Sequence, residues 1–155
     1  MSSQIEIKKN LLKYLLKYGY RNDLIVDALI NETRNLGNVS RMQISAEQGQ
    51  FLEIIVKLTG SKLCLEIGRF TGLSSLCIAK GLPKKGKLLT VDNSEEFLPT
   101  AEKYWKKAKV NKKIQSIIGE GIKVLKELVK NKIFLDLIFI DADKTNYLNY
   151  YELSL

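Results

Sequence analysis

The stretch Leu63-Cys64-Leu65-Glu66-Ile67-Gly68-Arg69-Phe70-Thr71-Gly72-Leu73-Ser74 decides how the chain is read. It predicts a buried strand, a glycine turn and a helix start. Apart from Cys64, the run from Leu63 to Ile67 is large and apolar, broken by one carboxylate near its end. A parallel strand covered on both faces reads as such a run. Gly68 and Gly72 permit a tight turn whose bare backbone a ligand can approach. The helix that follows opens with free N–H groups. Glu66, at the carboxyl end of the strand, is placed to grip a polar or cationic ligand. Two familiar glycine loops do not match. The dinucleotide fingerprint requires G-x-G-x-x-G and the phosphate loop requires G-x-x-x-x-G-K-[ST]. This loop is G-R-F-T-G followed by Leu73, so phosphate cradling is not indicated. Two glycines also suit any plain strand-to-helix turn, so the loop alone leaves ligand and packing readings open.

Downstream, strands are expected at 87–92, 114–118 and 134–141, the last reading Phe134-Leu135-Asp136-Leu137-Ile138-Phe139-Ile140-Asp141. Between them lie helices. One covers 72–81 and stops at Gly81-Leu82-Pro83. Another is capped by Ser94, with Glu95 and Glu96 favouring its dipole and Leu98, Ala101, Trp105 and Ala108 facing the core. A third covers 121–130, with Ile122, Leu125, Leu128 and Val129 inward. Alternation of this kind predicts an α/β fold with a parallel sheet and right-handed crossovers.

Upstream, residues 4–18 carry a helical stripe of Ile5, Leu11, Leu12, Leu15 and Leu16, ended by Gly19. A second helix is expected at 23–36, then a polar turn after Gly37. Ser45-Ala46-Glu47-Gln48 reads as a capping box. The helix behind it is expected to bury Phe51, Leu52, Ile55 and Leu58 and to end at Gly60. The expected organisation is one domain over 1–155, with an N-terminal helical layer (1–60) and a ligand-binding α/β half (61–155). A further helix begins near Thr145 and the sequence stops at Leu155. Four strands are fewer than a doubly wound sheet normally has, and they leave an apolar fourth strand at an edge. The expectation is a shortened domain, or a partner over that edge.

Composition excludes several classes. An apolar fraction of 45% is that of an ordinary globular protein. No apolar run approaches the ~20 residues that span a bilayer. Met1-Ser2-Ser3-Gln4-Ile5-Glu6 lacks a signal-peptide layout, and a soluble, cytoplasmic protein is expected. There is no histidine, which excludes Ser-His-Asp and Cys-His catalysis and imidazole-ligated zinc. Cys64 and Cys77 form no C-x-x-C pair and sit in apolar surroundings, as buried reduced thiols do. The net charge of +8 is mostly lysine, with few arginines and no interleaved aromatics. A lysine-rich solvated shell is preferred over a nucleic-acid surface.

Three carboxylates fall beyond strand ends, where open α/β sheets bind ligands. They are Glu66, Asp92 and Asp141. Asp92 lies 20 residues past Gly72, a spacing at which an acid meets ribose hydroxyls. Gly119 and Gly121 flank the end of the third strand and leave room for a flat ring. Together these favour a nucleoside-containing ligand over plain solvation; spacing does not say which nucleoside. In Asp141-Ala142-Asp143-Lys144, Asp141 offers oxygen to a hard cation. Lys144, its pKa lowered near such a cation, would be a base. The same residues also read as a surface loop.

Longer stretches carry a family resemblance. They are Arg41-Met42-Gln43-Ile44-Ser45-Ala46-Glu47-Gln48-Gly49-Gln50-Phe51-Leu52, the 63–74 turn, Thr90-Val91-Asp92-Asn93-Ser94-Glu95-Glu96, residues 101–110, and the run LIFIDADKTNYLNYYEL at 137–153. Nearly the whole chain resembles the cation-dependent O-methyltransferases that use S-adenosylmethionine, the caffeoyl-CoA and catechol O-methyltransferase group. The resemblance implies a Rossmann-like methyltransferase fold, incomplete at about four strands. It implies that Glu66, Gly68 and the Arg69 backbone line the methionine and ribose part of S-adenosylmethionine, and that Ser74 sits near its carboxylate. By the same resemblance Asp92 holds the ribose, Gly121 lies beside the adenine and Ile44 closes over the cofactor. Asp141 then serves a divalent cation such as magnesium as well as the cofactor side, and Lys144 is the catalytic base for a small hydroxyl acceptor. Homodimers are implied too, with the N-terminal helices as one possible contact. The chain departs from the pattern in three ways. The Asp-Asn pair that completes the cation site is absent, Arg69 stands where a small or neutral residue is common, and Leu73 stands where Tyr is common. Two functions are carried forward: an O-methyltransferase, and a non-catalytic module that keeps the cofactor cleft. RNA methylation, prompted by the charge, is a weaker third.

Overall fold

A computed structural model describes residues 8–155. Ile5, expected on the first helical stripe, lies outside the described residues. The helix itself, α1 (Lys9–Tyr18), has no buried residue, and Leu11, Leu12, Leu15 and Leu16 stay 40–45% exposed. Helix α2 (Leu24–Arg34) starts on Asp23, whose carboxylate accepts from the Ile25 and Val26 N–H groups at 2.9 and 3.1 Å. This cap satisfies two of the orphan donors of the first turn. The turn expected after Gly37 is a 3₁₀ helix, Gly37–Met42. Its short-range bonding suits a connector. Ser45 caps α3 (Ala46–Thr59) through Gln48 N–H, and Gly60 ends it in the left-handed region at φ 65°.

The buried face of α3 is Gly49, Leu52 and Val56 rather than the expected Phe51 and Leu58, which are 59% and 77% exposed. Gly49 explains the rotation. A Cβ there would lie 2.8 Å from Cys77 Sγ, so the bare glycine lets α3 press onto α4.

The sheet comprises β1 (Leu63–Ile67), β2 (Lys87–Asp92), β3 (Ile114–Ile118) and β4 (Leu137–Ile140), all parallel, in the order β3-β2-β1-β4. Four further helices are α4 (Leu73–Gly81), α5 (Leu98–Lys107), α6 (Gly121–Lys130) and α7 (Tyr147–Leu153). β4 is shorter than the 134–141 expected: Phe134 is 90% exposed and the Asp136 carboxylate caps the start of β1 through Lys62 and Leu63 N–H. β3 and β4 are the two edges of the sheet. Among the described residues no helix is long and apolar enough to cross a membrane.

Side chains alternate across the sheet. Cys64 and Leu88 face α3 and α4, packing with Leu52, Val56, Ile78 and Leu82. Leu65, Ile67 and Val91 face the other way, onto Leu125 of α6 and Tyr150 of α7. Beyond α4, Val26 and Leu29 of α2 pack with Leu76, Ala101, Tyr104 and Trp105. Each such fully buried aliphatic chain contributes about 1.5–3 kcal/mol. Both cysteines are free and buried, and burial pushes Cys64 up to about 11 and Cys77 to about 12.

Candidate functional site

The strand order runs outward from β1 in both directions: the chain steps from β1 to β2 to β3, then crosses back past β1 to β4, which puts the switch point between β1 and β4. A cleft forms at the carboxyl ends of strands at such a switch point. Here it is a cavity of about 910 Å³. Its floor is the glycine turn. Gly68 has φ 97°, and a Cβ on it would fall 2.3 Å from the Asp141 carbonyl oxygen. Only a bare backbone lets β1 and β4 close at that point. Gly72, at φ 81°, would strike Ala101 at 2.6 Å, and its carbonyl accepts from Trp105 Nε1 at 3.1 Å. Helix α5 therefore rests directly on the turn.

Asp92 is the best-organised acid in the cleft. Its Oδ2 accepts from Arg69 N–H at 2.9 Å and Phe70 N–H at 3.0 Å, and its Oδ1 accepts from Ser94 N–H at 2.9 Å. A carboxylate has about four acceptor positions, so one on Oδ1 remains. Phe70 holds a left-handed φ of 49°, rare for a bulky residue, and its N–H bond to Asp92 helps to hold it there. Its ring meets Phe97 edge-on at 4.8 Å, and both rings line the cavity. Ser94 does not cap α5 as expected. It turns the chain after β2, its Oγ accepting from Glu96 N–H at 3.1 Å, and α5 begins later at Leu98.

Glu66 is not a wall of the cleft. Strand alternation puts it on the α4 face with Cys64, fully buried, where Oε2 accepts from the Ser75 and Thr90 hydroxyls. Its Oε1 has no partner. Burial raises its pKa to about 7, against the pull of the Ser74, Ser75 and Thr90 hydroxyls and the Arg69 charge. The expected rim of three acids is thus a rim of two, Asp92 and Asp141, with Glu66 beneath it.

Ile44, Gly68, Arg69, Ser74 and Gly121 line the same cavity as Asp92, Asp141 and Lys144. Gly121 also has a packing reason, since a Cβ there would lie 2.5 Å from Ile67 Cγ2 and 3.1 Å from the Tyr150 ring. Lys144 Nζ donates to Asp141 Oδ1 at 3.3 Å and to the Tyr147 hydroxyl, and stands 4.3 Å over the Tyr147 ring. Those bonds, Tyr147 first and then Asp141, raise the Lys144 pKa. The lowering is expected beside a bound cation; beside the Asp141 anion and the Tyr147 hydroxyl the charged amine is favoured instead.

A divalent cation does not fit the described residues. No cluster of three acid, cysteine or histidine ligands occurs among them. Asp141 faces an ammonium, and the oxygens of Asp143 are taken by the Tyr150 hydroxyl at 2.6 Å and by Asn146 N–H and Nδ2 at 3.1 and 2.7 Å. Asp141 alone would leave a hard cation to find every other oxygen from water or the acceptor.

Sequence reasoning missed Gln43. Its Nε2 donates to Thr33 Oγ1 at 2.8 Å and Thr71 Oγ1 at 3.0 Å, and the two hydroxyls meet at 3.0 Å. This knot ties α2 and the 3₁₀ helix to the glycine turn. No local pattern announces it, because its members lie up to 38 residues apart.

Strand order and cleft together define a Rossmann-like domain of the methyltransferase kind. The chain belongs to the O-methyltransferase family, whose model matches residues 18–155. Caffeoyl-CoA O-methyltransferase of Medicago sativa is 42% identical over 114 residues, 72% of this chain and 46% of that protein. Flavonoid 3',5'-methyltransferase of Vitis vinifera is 40% identical over 119 residues, 75% of this chain and 51% of that protein. The O-methyltransferase of Bacillus cereus, crystallised in complex with SAH, aligns with a TM-score of 0.82 at 28% identity, covering 92% of this chain and 64% of its own. The chain spans about half the length of these two curated relatives.

Proposed function

We propose that the chain, as one methyltransferase domain, binds S-adenosylmethionine in the cleft between β1 and β4 and serves methyl transfer to a hydroxyl of a small acceptor. The observation that carries this reading is Asp92, clamped by three backbone N–H groups with one acceptor position left over. That is what a ribose hydroxyl needs. The cavity, about 910 Å³, is within the size range of cofactor sites. Bound there, the cofactor would supply an electrophilic methyl carbon. Asp92 would hold the ribose, Ser74 the carboxylate end, Gly121 and Ile44 the flanks of the base and sulfur chain. The bare Gly68 keeps side chains out of the floor. Positioning of this kind supplies much of the rate of a transfer reaction. Lys144, with Asp141 and Tyr147, is the group at the mouth able to hold or pass an acceptor proton. The plant relatives are named for caffeoyl-CoA and for flavonoids, which supports a caffeoyl-CoA-like or catechol-like acceptor. The exposed leucines of α1 are where a second copy would pack.

One observation favours a second reading, a cofactor-binding module without turnover: among the described residues no acids, cysteines or histidines gather with Asp141 to make a three-ligand cluster. Calorimetric titration with S-adenosylhomocysteine, followed by a methyl-transfer assay on a catechol with and without magnesium, tests both. Binding with turnover supports the enzyme. Binding without turnover supports the module. No binding overturns both.

A further inference from the structure

The side chain of Arg69 has no part in the roles above, yet it is 2% exposed and lies inside the site. Its Nη1 donates to Ser116 Oγ on β3 at 2.8 Å, and its Nη2 to the Ser94 carbonyl at 2.7 Å. Its Nε has no partner. Taking a guanidinium out of water is costly, and a neutral residue is often as stable in such a place. The charge calls for a reason.

The hydrogen bonds form a closed ring. Arg69 N–H donates to Asp92, the Asp92 carboxylate also accepts from Ser94 N–H, and the Ser94 carbonyl accepts from the Arg69 guanidinium. Ser116 anchors that ring to β3. We propose that Arg69 is a positioning residue that fixes the Asp92 carboxylate, through Ser94, in the orientation that leaves its free acceptor position open to the nucleoside. Without the guanidinium the Ser94 carbonyl loses its tie to the turn and to β3, and the peptide that holds Asp92 Oδ1 can rotate. The fork matters as well as the charge. A lysine offers its three donors from a single freely rotating nitrogen and lacks the rigid fork that holds Ser94 and Ser116 at fixed separation.

This inference rests on the reading of Asp92 as the ribose acceptor. A residue that merely fills space would weaken all ligands or none through stability. A residue that orients Asp92 acts on the nucleoside half alone. The test is calorimetry of the full 155-residue chain with S-adenosylhomocysteine and, separately, adenosine. Arg69→Ala, which removes two guanidinium bonds, is expected to weaken both by the same factor, about tenfold. The ligand 2′,3′-dideoxyadenosine, which lacks the hydroxyls that meet Asp92, is expected to bind this variant as it binds wild type. Equal weakening of that ligand would mark a merely structural loss and overturn the proposal. Ser116→Ala, which removes one anchor and is mild enough to fold, is expected to weaken both about threefold. Wild-type affinity in a folded Arg69→Ala or in Ser116→Ala would overturn the proposal. So would a loss for S-adenosylhomocysteine that adenosine does not share. Failure of the wild-type chain to bind either ligand would overturn the cofactor reading itself, a different and distinguishable result.

Discussion

Replacing Glu66 with glutamine probes the one carboxyl group, among the described residues, that the fold buries completely. Its ordinary pKa of 4.5 rises to about 7 in the folded chain, chiefly through burial. Between those values the folded chain keeps a proton that the unfolded chain releases. Stability is therefore full below about pH 4.5, falls as pH rises, and is at its lowest above about pH 7. At about 1.4 kcal/mol per pH unit the loss has a ceiling of about 3 kcal/mol. For a chain of this length that corresponds to about 6–12 °C in melting temperature. Glutamine keeps the shape without the titration. Its carbonyl can take the Ser75 and Thr90 hydroxyls, and its amide then sits where Oε1 has no partner. That misfit costs roughly 1–3 kcal/mol at every pH, so the informative quantity is a slope. Urea unfolding at pH 5, 6, 7 and 8 should show the gap between wild type and Glu66→Gln closing or reversing by about 3 kcal/mol as pH rises, with m unchanged. If the two chains move in parallel over that window, Glu66 does not titrate there and the account of its burial is wrong.

Three other substitutions have clear expectations. Gly68→Ala puts a methyl against the Asp141 carbonyl in a left-handed position; a fall of about 2 kcal/mol or more in stability, with loss of S-adenosylhomocysteine binding, should appear in thermal melts and calorimetry. Trp105→Phe removes the bond to the Gly72 carbonyl but keeps the ring in the α5 core, so urea melts should register only about 1 kcal/mol. Gln43→Leu unties the knot with Thr33 and Thr71, and hydrogen exchange should speed up over residues 37–44 while the β1 amides stay protected.

The sheet was legible because its evidence is local. Apolar runs such as Leu63–Ile67, the acids at their ends and the glycines behind them need no knowledge of what packs where. Errors arose where a neighbour decides. Which face of α3 is buried depended on Gly49 meeting Cys77, and Phe51 is as apolar as Leu52. Ser94 and Glu95 look like a helix start, but the Asp92 carboxylate claims the Ser94 N–H first. Counting along the chain places Glu66 at the strand end. Counting across the sheet puts it on the α4 face, one residue short of the rim. The Arg69 ring and the Gln43 knot were invisible for the same reason: both are closed by residues far apart in sequence.

The two sealed thiols carry a practical consequence. Cys64 sits mid-strand between β2 and β4, and Cys77 lies inside α4 against α3. Each is shielded and protonated at neutral pH, so an alkylating reagent waits for its surroundings to come apart. Labelling followed by mass spectrometry would time the opening of the sheet and of the helical layer separately, two internal clocks that require no engineered probe.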